Sequence, residues 1–241
     1  MQLGLSSAAA PDAPAADLLA ACVRRGLSVL VLREGHAHDV HAWMPASHAH
    51  KLRAAAAAAG VDIGGFCATS CADVDGLAAL SFALDAPIVV ATSGAIDERI
   101  ACAQQIRTRR GRALVAVSGA PSSWLPAIVR AGVEIAWTPD RTNTAVAADA
   151  ETVLHSAFPL LRSIQLVGGG PETAMEDGRG IGALMAVLAL AAYDGSIVLS
   201  PSDARYRVAW SAWLGRRGGW GCGSKADEGS VQLIARAGGV S

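Results

Sequence analysis

No stretch of this 241-residue chain is apolar for long enough to cross a bilayer: the longest such run, Ala183–Tyr193, falls well short of the roughly 20 residues a spanning helix needs. Basic clusters are absent too. The 20 Lys and Arg are scattered among 21 Asp and Glu for a formal net charge of −1, so no basic stripe awaits a phosphate backbone and nucleic-acid binding is disfavoured. The start, Met1-Gln2-Leu3-Gly4, reads as a strand and not as the charged region ahead of a signal sequence. The five cysteines, Cys22, Cys67, Cys71, Cys102 and Cys222, are odd in number and follow no pairing pattern. Reduced thiols in a cytoplasm are the expectation.

What the chain does have is an alternation. Eight times a short β-branched or aliphatic run precedes a longer alanine- and leucine-rich stretch, and strands are expected near residues 3–6, 28–33, 61–66, 87–92, 113–118, 133–138, 164–168 and 196–200. Helices are expected over Ala13–Arg25, Ser47–Ala59, Asp73–Leu84, Asp97–Arg109, Ser122–Arg130, Asn143–Leu161, Gly182–Tyr193 and Ala204–Leu214, with Gly26, Gly60, Gly111, Gly132 and Gly195 placed where helices or turns end. The six alanines Ala54–Ala59 favour helix over linker, because a linker would be richer in Gly, Ser or Pro. Ser70 and Asp73 stand as caps for the third helix.

Every spacing is long enough for the crossover a parallel strand requires. The pattern therefore predicts an α/β protein, a single (β/α)8 barrel over residues 1–217, with an irregular tail or short terminal element over 218–241. The same alternation permits an open doubly wound sheet. Against that, the first strand-to-helix turn, Leu5-Ser6-Ser7-Ala8, lacks the glycine fingerprint of dinucleotide folds, and eight similar units suit closure better than six strands.

A barrel directs attention to the loops at the C-terminal ends of its strands. After the second strand comes Arg33-Glu34-Gly35-His36-Ala37-His38, dense in titratable groups, where Glu34, His36 and His38 are candidates for proton transfer and Arg33 for clamping an anion. The plain alternative for this loop is a solvated polar turn. After the seventh strand, Gly168-Gly169-Gly170-Pro171-Glu172 and then Asp177-Gly178-Arg179-Gly180 ahead of a helix offer close backbone approach and free N–H groups to an anion. The eighth strand ends in Ser200-Pro201-Ser202, whose hydroxyls join that set.

The last units, Val133-Glu134-Ile135-Ala136-Trp137-Thr138-Pro139-Asp140, Ser163 to Gly170, Asp177 to Gly182 and Tyr193-Asp194-Gly195-Ser196-Ile197-Val198-Leu199-Ser200, resemble the closing half of xylose isomerase-like barrels, the superfamily of sugar phosphate isomerases and epimerases. Leu3-Gly4-Leu5-Ser6 and Gly26 to Arg33 resemble its opening half. The resemblance implies a metal-dependent movement of a proton beside a sugar carbonyl, with the metal held by a Glu ending strand five, an Asp or His after strand six, a His or Asn at strand seven and a Glu ending strand eight. Those places hold Ser118, Thr138 with Asp140 nearby, Val167-Gly168 and Ser200, and Val31 stands where the family has a second-strand Glu. No metal site and no cofactor are therefore expected. The small ligand expected is sugar-like or phosphorylated, and its contacts fall to Arg33, Asp140, Gly168, Gly169, Gly170, Glu172, Arg179, Ser200 and Ser202. Three readings stay open: a divergent, metal-independent or inactive isomerase or epimerase, a non-catalytic binding protein for such a ligand, and a partner-binding barrel with no small ligand. Oligomeric state is not legible.

Overall fold

A computed structural model describes residues 1–139, 146–168 and 178–201. In chain order they form β1 (Gln2–Ser6), α1 (Ala15–Arg25), β2 (Val29–Arg33), α2 (Ala46–Ala58), β3 (Asp62–Ala68), α3 (Val74–Leu84), β4 (Ile88–Val90) and α4 (Ile96–Thr108). Then follow β5 (Ala113–Ser118), α5 (Leu125–Ala131), β6 (Glu134–Thr138), α6 (Val146–Ala157), β7 (Leu161–Gly168), α7 (Gly178–Leu190) and β8 (Ser196–Pro201). All pairings are parallel, neighbours run in sequence order, and β1 pairs with β8 from Gln2↔Ser196 to Leu5↔Leu199, so the sheet closes. The single (β/α)8 barrel is thereby shown, and the open sheet is excluded. The proposed helix over Ala204–Leu214 and the tail over 218–241 lie outside the described residues.

Three boundaries differ from expectation for local reasons. Within the described part of the helix expected over Asn143–Leu161, the α-helix runs Val146–Ala157 and then tightens into a 3-10 turn, Phe158–Leu160, because Pro159 has no N–H with which to continue it. That releases Leu161 to begin β7 earlier than expected. The helix expected over Ser122–Arg130 splits at Trp124 into a 3-10 turn and α5. The third change bears on the site: α7 starts at Gly178 and not Gly182, so Gly178, Arg179 and Gly180 belong to the first helical turn and not to a loop ahead of it. Among the expected stops, Gly26, Gly60 and Gly132 adopt positive φ, whereas after α4 that geometry falls on Arg110. Gly111 is small for another reason, since a Cβ there would lie 3.0 Å from Ala78 Cα. Of the two caps expected for α3, Asp73 serves, its carboxylate accepting from Gly76 N at 2.8 Å.

The period of two along each strand sorts side chains between two cores. Those turned outward, among them Leu5, Leu30, Leu32, Phe66, Ile88, Val115, Ile135, Ile164, Leu166 and Leu199, bury against the helices. Those turned inward fill the lumen with Val29, Val31, Cys67, Val89, Leu114 and Val198, backed by Ala116 and Ala136. Close packing in the lumen needs small neighbours: a Cβ at Gly64 would sit 2.3 Å from Val29 Cγ1, and one at Gly4 only 2.8 Å from Val29 Cβ and its carbonyl. Below this layer, at the N-terminal mouth, a cavity of about 640 Å³ is rimmed by charges already paired with one another, including Arg162 with Glu134 at 2.7 Å and Arg53 with Asp85 at 2.8 Å. Barrel chemistry gathers at the other mouth, and these exposed pairs each stabilise by no more than about 1 kcal/mol.

The expectation of reduced thiols is corrected at one pair. Cys71, in the β3–α3 loop, is bonded to Cys102 on α4, with 6.2 Å between their Cα atoms, while Cys22 and Cys67 are free and buried. The 31 residues that separate Cys71 from Cys102 in sequence leave no local signature of the bond. No helix among the described residues is long and apolar enough to cross a membrane.

The lumen packing yields a test. Gly64→Ala should cost about 1–3 kcal/mol in denaturant titrations, since β-branched Val29 cannot swing aside, and combining it with Val29→Ala should recover part of that loss. A neutral single substitution would contradict the packing.

Candidate active site at the C-terminal mouth

The inward positions at the upper rim follow from the alternation below them. Above Val29 and Val31 comes Arg33; above Leu114 and Ala116, Ser118; above Ala136, Thr138; above Val198, Ser200. Register sets Arg33 beside Cys67, Ser118 beside Thr138 and Val167 beside Ser200. One side of the mouth, β5 to β8, therefore carries hydroxyls and an aliphatic group, and Thr138 donates to Gln165 Oε1 at 3.4 Å. The other side, β1 to β3, carries the charge.

That charged side is built by two loops fastened together. Arg33 N donates to Ser7 Oγ at 2.9 Å, and Ala37 N donates to the Pro11 carbonyl at 2.7 Å, so the chain after β2 is held against the chain after β1. Gly35, at φ 79°, makes the turn between Glu34 and His36. Glu34 is gripped from the β3 side: its N donates to the Cys67 carbonyl at 3.0 Å, and its Oε2 accepts from Thr69 N at 2.9 Å and Thr69 Oγ1 at 2.7 Å. The Arg33 guanidinium makes no hydrogen bond or ion pair among the described residues and stands close enough to Cys67 to oppose the rise in its thiol pKa, which burial still pushes up to about 11. Cys67 is accordingly an inert thiol at neutral pH.

The two histidines separate. His36 is half-buried, and its Nδ1 lies 2.8 Å from Ser7 Oγ. His38 is buried, its Nδ1 accepts from Val40 N at 3.2 Å, and the two rings meet edge to face with centroids 5.7 Å apart. Burial first, and the neighbouring His36 second, lower the His38 pKa to about 4, while the backbone of Arg33 and the Asp39 carboxylate pull the other way. Its Nε2 is buried without a hydrogen-bond partner among the described residues. His38 is thus a neutral, packed ring at physiological pH, which leaves Glu34 and His36 as this loop's candidates for proton transfer.

Of the other residues expected to contact a ligand, Gly168 ends β7 and Ser200 is buried near the end of β8. Arg179 is placed only by its backbone, in the first turn of α7. Asp140, Gly169, Gly170, Glu172 and Ser202 lie outside the described residues. Sequence reading passed over Ser7, Thr69 and Gln165. Ser7 and Thr69 each follow a strand within two residues, and that position was the only available signal.

No protein-family model and no curated protein matches the chain. Solved structures do. A xylose isomerase domain protein from Salmonella typhimurium LT2 superposes with a TM-score of 0.64 at 14% identity, covering 88% of this chain and 93% of its own. The fold they share is the closed (β/α)8 barrel. D-psicose 3-epimerase from Clostridium cellulolyticum H10, solved with D-tagatose, gives 0.61 at 13% identity over 98% of this chain and 95% of its own. An uncharacterised protein from Parabacteroides distasonis ATCC 8503 gives 0.66 at 10% identity over 89% and 98%. At such identities the likeness carries the architecture alone, and chemistry has to be argued from the residues.

The metal implied by the resemblance does not fit the donors at the described strand ends. Ser118, Thr138, Val167 and Ser200 supply neutral hydroxyls and a hydrocarbon where a divalent ion needs carboxylate or imidazole, and among the described residues no three His, Cys, Asp or Glu side chains are grouped as a metal site requires.

The His38 environment generates a pH prediction. A folded-state pKa near 4 against an ordinary 6.5 means that the unfolded chain binds the extra proton, so this residue's contribution is fully present above pH 6.5 and is lost as pH falls toward 4. The loss should total about 3 kcal/mol. Unfolding free energies measured across that window should fall less steeply for His38→Gln than for the unsubstituted chain, and equal slopes would refute the assignment.

Proposed function

We propose that this chain is a sugar or sugar phosphate barrel of the isomerase/epimerase type, in which Arg33, Glu34 and His36 do without a divalent ion what the strand-end ligands of its structural neighbours' fold would otherwise support. The observation that carries the reading is the asymmetry of the described rim: Arg33, Glu34 and His36 lie together at the end of β2 and in the loop after it, whereas the inward ends of β5, β6 and β8 carry the hydroxyls of Ser118, Thr138 and Ser200. A structural neighbour solved with a sugar, the D-psicose 3-epimerase with D-tagatose, supports a polyhydroxylated ligand.

The chemistry assigned is proton transfer beside a carbonyl. Glu34 accepts the proton from the carbon next to the sugar carbonyl, the C–H electron pair moves to form an enediolate, and the charge arriving on oxygen is met by the Arg33 guanidinium. The conjugate acid of Glu34 or the His36 ring returns a proton to carbon, on the same face or the opposite one. Thr69 holds the Glu34 carboxylate through Oε2 and leaves Oε1 as its working oxygen. No step runs through a metal: the described strand ends of β5 to β8 carry hydroxyls and a valine in place of carboxylate or imidazole donors.

Ligand binding decides between this reading and a purely structural barrel. In calorimetry against a panel of sugar phosphates, Arg33→Ala should weaken binding by about 1.5–3 kcal/mol, as for a lost charge-assisted contact, whereas Arg24→Ala on the exposed face of α1 should change nothing. Absence of binding, or equal losses from both substitutions, would overturn the proposal.

A further inference from the structure

Ser7 is the first residue after β1 and opens a 3-10 turn, Ser7–Ala9, in which it is completely buried. A buried hydroxyl must place its hydrogen somewhere, since leaving it unpaired away from water is costly. Ser7 Oγ has one hydrogen and two lone pairs to satisfy. One lone pair takes the Arg33 N–H at 2.9 Å, and the other group within reach is His36 Nδ1 at 2.8 Å. Among the described residues no further acceptor faces this hydroxyl. Were Nδ1 to carry the imidazole proton, Ser7 would accept twice and its own hydrogen would point into the protein without a partner. With Nδ1 bare, every group is satisfied: Arg33 N donates to Oγ, and Oγ donates to Nδ1.

We propose that Ser7 is the positioning residue of the site, donating from Oγ to His36 Nδ1 and so holding the neutral imidazole as the tautomer protonated on Nε2. Two features of the fold make the arrangement rigid. The contacts of Ser7 with Arg33 N and of Pro11 with Ala37 N fasten the loops on both sides of His36 in sequence, and the Asp39 N–H to His36 carbonyl bond at 3.2 Å closes the turn that follows. The tautomer also distinguishes the neighbouring rings by what occupies Nδ1, a side-chain hydroxyl for His36 and the Val40 N–H for His38. A hydroxyl donor at Nδ1 leaves the ring proton on Nε2, where it can be donated as a hydrogen bond to the oxygen of a developing enediolate. That last assignment rests on the function proposed above, whereas the tautomer itself does not.

The experiment is therefore spectroscopic and uses no sugar. Long-range proton–nitrogen correlation spectra of the full chain labelled with 15N-histidine, taken at a pH where imidazole is neutral, should show His36 with an unprotonated Nδ1 and a protonated Nε2. Ser7→Ala should convert His36 to a mixture of both tautomers and speed solvent exchange of the Arg33 amide by about tenfold, the equivalent of one lost hydrogen bond. Ser7→Thr, which keeps the hydroxyl, should restore both. A protonated Nδ1 in the unsubstituted chain overturns the proposal by itself, even if Ser7→Ala does not fold, and so does a tautomer unchanged by Ser7→Ala. A correct tautomer in a protein that binds no sugar phosphate would leave Ser7 as described and refute the proposed function instead.

Discussion

The hydrogen bonding of β1 to β8 is the constraint on which everything else rests. Closure leaves no sheet edge, and it obliges alternate residues on all eight strands to share one narrow lumen. Val29 occupies so much of that space that Gly4 and Gly64 cannot carry a side chain. The same alternation lifts Arg33, Ser118, Thr138 and Ser200 to the rim. A shift of one residue in any of these strands would exchange its rim side chain for one now packed on a helix, so the composition of the mouth is a direct consequence of barrel register.

Among the described residues the rim is chemically lopsided, and the loops compensate. Hydroxyls and a valine end β5 to β8, whereas the residues after β2 bring a guanidinium, a carboxylate and an imidazole within four positions. Each is held by a neighbour from another strand: Arg33 through its own N–H to Ser7, Glu34 through Thr69, His36 through Ser7 again. Thr69 is itself two residues from Cys71, whose bond to Cys102 ties this loop to α4. Support of this kind, reaching from β1, β3 and α4, is what a loop-borne site needs if its groups are to keep a working geometry.

Much of the architecture was legible because it depends on repetition. Eight β-branched runs separated by crossover-length segments define eight parallel strands, and the observed strands begin and end within a few residues of the expected ones, as at β5, Ala113–Ser118. Where expectation failed, a single residue outweighed the pattern. Pro159 cut α6 short, and glycines at 178 and 180, read as loop, entered the first turn of α7. The loop after β2 was visible as a concentration of titratable groups. Its supports were not, because Ser7 meets His36 across 29 positions and Thr69 meets Glu34 across 35, distances at which only the folded barrel brings side chains together. The division between His36 and His38 was likewise invisible, since burial and not residue type makes His38 a neutral packing group.

Proton transfer without a metal is the central claim, and solvent exchange tests it most directly. The chain, stripped of divalent ions with a chelator, is incubated in heavy water with a panel of ketoses, aldoses and their phosphates, and deuterium at the carbon beside the carbonyl is followed by mass spectrometry. The account predicts incorporation into at least one member of the panel, unaffected by the chelator and abolished by Glu34→Gln. Incorporation that appears only when a divalent ion is restored, or none into any sugar that binds, would contradict it.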